Sequence, residues 1–395
     1  MTTQVPSDWL RSYALLALRT DRLLAESGGG TMLIYDGPDA LRSEVAAPEP
    51  APPAQLVEEC DALEADIPFE GHRAACLTAQ LTAMRAMVRQ VDGADVPFPE
   101  HARQCLGVTV DRQPEDRFEA AHAQLSAALP SGPGPLAGRL HAWQQSHSVP
   151  VDRVADLVRS AIAETVARTR TIVELPDGLD IDIGVRLDPG PHRGHYAGAG
   201  RGTMYINDSF PFNAADLLYV VAHEGFPGHI AESLLKGVHL AHQPEHAVRF
   251  MISPPFVVSE GLGLHAQQVA FPGDEAQRWI TDKVLTPLEI PLDGSDFAAI
   301  HDARNALWGA WGNAAMLAAE GRPDAEVAAY LKRWALLSEA ETAWALGSLR
   351  TPVMGTYVLG YFHGWRLLQT WIDEPDRQSR VRRLLTEPIL PADVV

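Results

Sequence analysis

Residues 222–229 read Ala222-His223-Glu224-Gly225-Phe226-Pro227-Gly228-His229 and directly follow an apolar helical run. A His-Glu pair on a helix is typical of zinc hydrolases, in which the helix presents a metal ligand and the Glu acts on the metal-bound water. The familiar form has its second His four residues after the first, so that both side chains share one face. Here the second His comes six residues later. In a regular helix that spacing is about 600° of rotation and about 9 Å of rise, which takes His229 off the face of His223.

The two imidazoles can meet one metal ion only if the backbone is deformed between them. Pro227 supplies a cause, because it lacks an N–H and its ring clashes with the carbonyl of His223, four residues back. Gly225 and Gly228 tolerate the unusual dihedral angles that such a break requires. We therefore predict that the helix breaks at Pro227 and that His229 turns toward the metal ion held by His223. If the helix ran straight through Pro227, this assignment would fail, and His229 would instead be a group behind the ligands.

Glu260 is the best candidate for a third ligand. Zinc sites that hydrolyse amides commonly use two His and one carboxylate, which leaves a position for water. Glu260 lies 31 residues after His229, at the start of the next long predicted helix and beside Gly261 and Gly263. Glycines inside a helix cost about 1 kcal/mol each relative to alanine, so their presence indicates a close approach of a second helix or of substrate. The alternative is an ordinary acidic residue favoured by the helix dipole.

Glu224 is the candidate general base. Neighbours on a helix point about 100° apart, so Glu224 cannot easily share a metal ion with His223 as a ligand. It can lie over the remaining coordination position and take the proton from the bound water, whose pKa a catalytic zinc lowers to about 7. A solvent-facing glutamate without a role is the alternative.

An oxyanion stabiliser should come from elsewhere in the chain, because the metal and the base occupy one side of the carbonyl. The richest stretch for this role is residues 351–365. Tyr357 and Tyr361 are four residues apart and so share a helix face. We take Tyr357 and His363 as candidate catalytic residues and Tyr361 and Arg350 as candidate substrate-binding residues, with a structural role as the alternative for each.

Three tryptophans outside this stretch are further candidates for the site. They can line a cleft, although core is the usual place for a tryptophan: Trp308, Trp311 and Trp344.

Composition describes a globular protein. The chain has 395 residues, of which 46% are hydrophobic and 21% charged, and a formal net charge of −19. That charge argues against a nucleic-acid partner, which requires a basic surface. We expect no membrane partner, because no stretch approaches the roughly 18 uncharged apolar residues of a membrane span, and no secretory signal is visible. Three widely spaced cysteines predict buried free thiols in a reducing compartment, and hence a cytoplasmic protein.

Helical periodicity dominates the chain, so we predict a mainly α fold with a small β-hairpin or sheet beside the active-site helix. Residues 1–172 form a helical region without catalytic spacing, and residues 173–395 form the metal-binding region, both within one compact unit. Residues 181–187 and 203–207 have the alternation of strands, and residues 192–202 are predicted to form a glycine-rich loop between them. Tyr196 in that loop and Tyr205 on the second strand are candidate substrate-binding residues.

The motifs together resemble a bacterial family called domain of unknown function 885, whose members are regarded as zinc metallopeptidases. The family carries an HExxPGH motif, matched here by residues 223–229, and an EGWALY-type segment on a later helix, matched by Ser259-Glu260-Gly-Leu-Gly-Leu-His265. Gly202-Thr-Met-Tyr205-Ile-Asn207 looks like its G-x-x-Y-x-N strand. The segment from Pro352 to Gly360 is similar to its proline-led helix with Y-x-x-G. The resemblance covers roughly residues 180–365, and only its first motif is highly specific.

This resemblance implies a mostly helical fold related to helical gluzincins, with His223, His229 and Glu260 as ligands and Glu224 as base. The chain departs from the family pattern around the cleft. Leu262 replaces the expected aromatic residue, and His265, a candidate substrate-binding residue, stands at the tyrosine position. A polar pair expected before residue 321 is replaced by Asn313, Ala314 and Ala318. These departures concern the substrate more than the metal ion.

The sequence therefore predicts a zinc-dependent enzyme that cleaves a peptide or amide bond by attack of metal-activated water. Its expected cofactor is Zn²⁺ and its expected substrate is a small peptide or an amide-containing small molecule. Two alternatives stay open. One is a metal-dependent tailoring enzyme acting on a small non-peptide metabolite, and the other is a metal-free helical binding module.

Overall fold

Helices build most of this fold, as the sequence predicts, and the strands of the described residues form two small sheets. A computed structural model of the chain describes residues 4–46, 49–176, 180–351, 353–372 and 375–394. Eight helices lie within residues 4–172: α1 Gln4–Glu26, α2 Asp39–Ala46, α3 Pro53–Ala65, α4 Gly71–Val91, α5 Phe98–Leu106, α6 Glu115–Ala128, α7 Leu136–Ser146 and α8 Val151–Ile172.

The second half of the chain adds nine helices within the described residues. These are α9 Leu217–Glu224, α10 His229–His239, α11 Pro254–Ala270, α12 Glu275–Ile280, α13 Phe297–Ala319, α14 Asp324–Tyr330, α15 Glu339–Leu349, α16 Met354–Ile372 and α17 Arg377–Thr386. Pro352, which the resemblance places at the start of α16, lies outside the described residues.

The larger sheet has three strands, β2 Asp182–Asp188, β3 Arg193–Gly198 and β4 Arg201–Asn207, in the order β2-β4-β3. β2 pairs with β4 in parallel, and β3 pairs with β4 antiparallel. The prediction of a glycine-rich loop over residues 192–202 is therefore wrong for most of its length, because β3 occupies it. Pairing with β4 forms the backbone hydrogen bonds of this segment. Its glycines and polar side chains have low strand propensity, so the sequence alone does not indicate a strand. β4 is the central strand, and the edge strand β3 packs against α10.

A second, two-stranded sheet joins the two halves of the chain. β1 Leu33–Tyr35 pairs antiparallel with β5 Val248–Phe250. The hydrophobic cores cross the predicted boundary at residue 172 in the same way: one unites Leu16 and Met84 with Phe250 and Leu359. The predicted regions 1–172 and 173–395 thus share their cores.

Among the residues that the structure describes, no helix combines the length and the apolar character needed to cross a membrane. All three cysteines, Cys60, Cys76 and Cys105, are free and buried, as the sequence predicts.

Candidate metal centre

The helix that carries His223 ends at Glu224, and a new helix begins at His229. Between them the backbone makes a wide turn, in which the Gly228 N–H donates to the carbonyl of Ala222 at 2.9 Å. A Cβ atom at Gly228 would lie 1.8 Å from the carbonyl oxygen of His223, so only glycine fits this position. The predicted break is confirmed, and the close approach to the His223 carbonyl is made by Gly228, the residue after the proline.

The break brings the two imidazoles together. The ring centroids of His223 and His229 lie 4.8 Å apart with an interplanar angle of 82°. Both side chains are largely but not fully buried, with 9% of His223 and 17% of His229 exposed. Solvent therefore reaches the pair.

Glu260 approaches both imidazoles from α11. Its Oε2 atom lies 3.3 Å from Nε2 of His223 and 3.8 Å from Nε2 of His229. A tetrahedral zinc ion with bonds of about 2.0–2.2 Å separates its ligand atoms by about 3.3–3.6 Å. The two distances from Glu260 Oε2 to the histidines are thus close to those that one zinc ion imposes between a carboxylate and a histidine ligand.

The Oε2 atom of Glu260 is available to bind a cation. Its side chain is 2% exposed, and its buried Oε2 atom faces the two imidazoles without a well-aligned hydrogen bond from either. A buried carboxylate oxygen without a donor is costly unless a positive charge faces it. Burial alone would raise the pKa of Glu260, but the imidazoles of His223 and His229 hold it well below its usual range. The residues present therefore fit a divalent cation.

Gly261 and Gly263, which follow Glu260 on α11, permit two close contacts, as predicted. A Cβ atom at Gly263 would lie 2.7 Å from Cε1 of the His223 ring. A Cβ atom at Gly261 would lie 2.4 Å from the carbonyl oxygen of Gly364, where α11 crosses α16. One glycine thus seats a candidate ligand on the helix backbone, and the other lets the two helices touch.

Glu224 lies beside the same centre. His223, Glu224 and His229 offer ligand atoms within 4.8 Å of one another, but the Glu224 Oε1 atom is 3.9 Å from His223 Nε2, farther than the Glu260 oxygen. Its other oxygen accepts a 2.9 Å hydrogen bond from the Gly194 N–H on β3. Burial raises the pKa of Glu224, against the opposing effect of the two histidines. A carboxylate held this way suits a proton acceptor better than a third ligand.

Two tyrosines from α16 reach the centre. The Tyr357 hydroxyl donates to Oε1 of Glu260 at 2.5 Å, and the Tyr361 hydroxyl meets the Tyr357 oxygen at 3.5 Å. Burial, together with the charge of Glu260, raises the pKa of both phenols well above their usual range. Both hydroxyls therefore stay protonated and can donate at neutral pH. The proton of Tyr357 is committed to Glu260, whereas that of Tyr361 is only weakly held.

A hydrogen-bonded chain supports His229 from behind. Its Nδ1 atom lies 3.1 Å from the hydroxyl of Ser259, which donates to Glu232. Glu232 in turn accepts a 2.6 Å hydrogen bond from Lys236. Such partners fix the tautomer and orientation of a ligand histidine. Burial would lower the pKa of His229, but Glu232 and Glu260 raise it well above its usual value.

Three of the candidate site residues do not join this centre. Arg350 donates to Asp324 at 2.5 Å and to the carbonyls of Ala318 and Arg322. His265 is buried and lies 2.9 Å from the carbonyl of Trp365. His363 follows Tyr361 by two residues, which turns it about 200° around the helix, into a cleft shared with Asn313.

Burial there lowers the pKa of His363 to about 4. In each case the helix turn or a hydrogen bond to a residue distant in the sequence directs the side chain to other partners, so these contacts do not support the three predicted roles.

The tyrosines of the larger sheet have local partners. The Tyr196 hydroxyl accepts from the Gly200 N–H at 3.3 Å, and the Tyr205 ring lies under the guanidinium of Arg193 at 4.0 Å. Both are half-buried on strands next to Glu224's partner Gly194. Their proposed contact with substrate stays a prediction.

Several residues that contact the candidate ligands were not predicted from the sequence as part of the site. Ser259 adjoins Glu260, and Glu232 lies one helical turn after His229, so local spacing could have suggested both as supporting residues. Phe256, one turn before Glu260, stacks on the His229 ring at 5.8 Å. Nothing in the sequence indicates Gly194, whose part is played by its backbone N–H.

Comparison with known proteins bears only on the fold. No family model and no curated protein matches the chain. The fold is similar to a crystal structure of a candidate lipoprotein from Colwellia psychrerythraea, with a TM-score of 0.57 and 15% sequence identity. The match covers 95% of this chain and 71% of the lipoprotein chain. The chain therefore shares a helical architecture with that protein. The resemblance to the domain of unknown function 885 family stays a prediction.

Proposed function

We propose that the protein is a zinc-dependent hydrolase that cleaves an amide or peptide bond. The observation that carries this proposal is the position of the buried Oε2 atom of Glu260. It lies 3.3 Å from Nε2 of His223 and 3.8 Å from Nε2 of His229. When bound by these three residues, zinc would polarise a carbonyl group and acidify a water molecule. Kinship with the domain of unknown function 885 family belongs to the same proposal.

Glu224 acts as the general base in this scheme. The Gly194 N–H fixes one of its oxygens, which leaves the other free to accept a proton from the attacking water. Burial raises its pKa, and a carboxylate with a higher pKa is a stronger proton acceptor. After attack, the same carboxyl group can pass the proton to the leaving nitrogen.

Tyr361 is the residue we assign to the developing oxyanion. Its ring lies 6.5 Å from the ring of His223, and its hydroxyl is only weakly engaged by Tyr357. A rotation of that hydroxyl would point its O–H toward the carbonyl oxygen of a bound substrate, where it could donate a hydrogen bond. Tyr357 instead holds Glu260 in place through its 2.5 Å hydrogen bond, so its role is to position a ligand.

The partners of this enzyme would be small peptides or amide-containing small molecules. We place the protein in the cytoplasm, where its three free thiols would stay reduced.

Metal analysis and turnover test the proposal together. Purified protein should hold about one zinc ion per chain by the ligand count, and a chelator should abolish cleavage of a library of short peptides and N-acyl amides. The Glu224→Gln variant should keep its zinc and lose turnover. Protein without near-stoichiometric zinc, or full turnover of Glu224→Gln, would contradict the proposal.

A further inference from the structure

Four aromatic rings lead from the metal centre to the surface. Tyr361, whose ring is 6.5 Å from that of His223, stacks on Trp308 at 4.4 Å with an interplanar angle of 17°. Trp308 lies 5.3 Å from Trp311, and Trp311 lies 6.2 Å from Trp344. We call Tyr361, Trp308, Trp311 and Trp344 the aromatic wall.

The wall differs from ordinary core packing in its exposure. Tyr361, Trp308 and Trp311 are half-buried, and Trp344 is 46% exposed. A contiguous row of partly exposed aromatic rings is unusual on a surface without a partner, because it leaves apolar area in water. Here they form one continuous surface whose inner end is a candidate oxyanion donor. A surface continuous with the reacting centre is suited to bind the part of a substrate that does not react.

Charge at the wall is neutralised. Arg304, one helical turn before Trp308 on α13, donates from one nitrogen to both oxygens of Asp216, at 2.8 and 3.1 Å. Asp216 also lies 2.9 Å from His301. The only cation beside Trp308 on its helix face is thus engaged by a carboxylate within the described chain. A charged substrate group would find no free counter-charge in this pair, whereas an uncharged aromatic group would find rings to pack on.

We propose that the aromatic wall is the specificity subsite of this enzyme and that it binds an uncharged aromatic group carried by the amide substrate. The inference rests on the proposed zinc centre, because it takes the inner end of the wall as the place of reaction. Aromatic pairs prefer stacked or edge-on contacts with centroids about 4.5–7 Å apart. Because the centroids of neighbouring members lie 4.4 to 6.2 Å apart, a substrate ring lying across two of them would be within this range of both.

Hydroxamates, which chelate zinc, test the subsite by binding alone. Zinc-loaded protein would be titrated calorimetrically with hexanohydroxamate and with 6-phenylhexanohydroxamate, which differ only in the terminal ring. Burying a phenyl ring stabilises a complex by enough to tighten binding about 10- to 100-fold. We expect this preference in the unaltered protein.

Variants of the wall locate the preference. Trp308→Ala and Trp344→Ala should each reduce it by about two- to tenfold, the range for one lost aromatic pair. Trp308→Phe should restore most of it, since a ring remains. Trp371→Ala is the matched control, because Trp371 is also half-buried on α16 but lies about 15 Å along the helix from Tyr361. Zinc content of each variant shows that its metal centre is intact.

The outcomes separate the two proposals. If hexanohydroxamate binds but the phenyl group adds nothing, or if neither Trp308→Ala nor Trp344→Ala reduces the preference, the subsite is refuted and the zinc centre stands. If neither zinc nor hexanohydroxamate binds, the zinc centre is refuted and the subsite assignment falls with it.

Discussion

Replacing Gly263 with alanine should damage the metal centre while leaving the fold intact. The new Cβ atom would lie 2.7 Å from Cε1 and 2.8 Å from both nitrogens of the His223 ring. Comfortable carbon contacts lie at about 3.5–4.0 Å, so the imidazole must retreat by about 1 Å. Ligand distances in metal sites hold within about 0.2 Å. We therefore expect zinc affinity to fall by at least about 100-fold, the upper end of the loss caused by removing a ligand's supporting partner.

The effect on stability should be small, and this separates metal binding from folding. Alanine favours a helix interior over glycine by about 0.8–1 kcal/mol, whereas overpacking costs about 1–3 kcal/mol. The metal-free variant should therefore lose at most about 2 kcal/mol of unfolding free energy. Gly237→Ala on α10 is the control, since its Cβ atom would meet nothing within 4 Å; it should be neutral or stabilising and keep normal zinc affinity.

Competition of each protein with a fluorescent zinc chelator measures the affinity, and urea unfolding of the metal-free forms measures the stability. If Gly263→Ala folded normally and bound zinc as tightly as the unaltered protein, His223 would not be a ligand in the position described.

Three further predictions test the groups around the ligands. Tyr361→Phe should lower kcat by about 100- to 1000-fold with zinc affinity unchanged, whereas Tyr357→Phe should weaken zinc binding because it frees Glu260; steady-state kinetics and zinc titration of both variants would contradict these roles if the effects were exchanged. Ser259→Ala should lower zinc affinity by about 10- to 100-fold, and unaltered affinity would show that the contact with His229 has no supporting role. In the metal-free protein the pKa of His229 lies above its usual value of 6.5, so at pH 7 zinc must displace its proton. Affinity should then rise with pH, with about one proton released per zinc ion, and calorimetry in buffers of different ionisation heat would contradict this if it found none.

The sequence was sufficient for most helices because their apolar periodicity is strong. The helix break after Glu224 is likewise local, because it follows from the chemistry of the proline and glycines in residues 225–228. The strand β3 was missed because its register depends on β4 and not on its own residues. The pairing of β1 with β5 was missed for the same reason, since more than 200 residues separate the partners.

The candidate site shows the same division between local and distant causes. Spacing within one helix predicted that Tyr357 and Tyr361 share a face, and the structure places their hydroxyls 3.5 Å apart, with that of Tyr357 bonded to Glu260. Spacing could not say where Arg350 and His363 point. Arg350 is captured by Asp324 across 26 residues, and His363 faces a different cleft because of the helix turn. Such outcomes depend on neighbours brought together by the fold.

The central claim is that His223, His229 and Glu260 hold one zinc ion. Anomalous diffraction at the zinc absorption edge, from a crystal of zinc-loaded protein, tests it most directly. We predict one strong peak at about 2.0–2.2 Å from Nε2 of both histidines and from Oε2 of Glu260, with a coordination position open toward Glu224. A peak bound by other residues, or by Glu224 in place of Glu260, would contradict the account, as would the absence of zinc from these side chains.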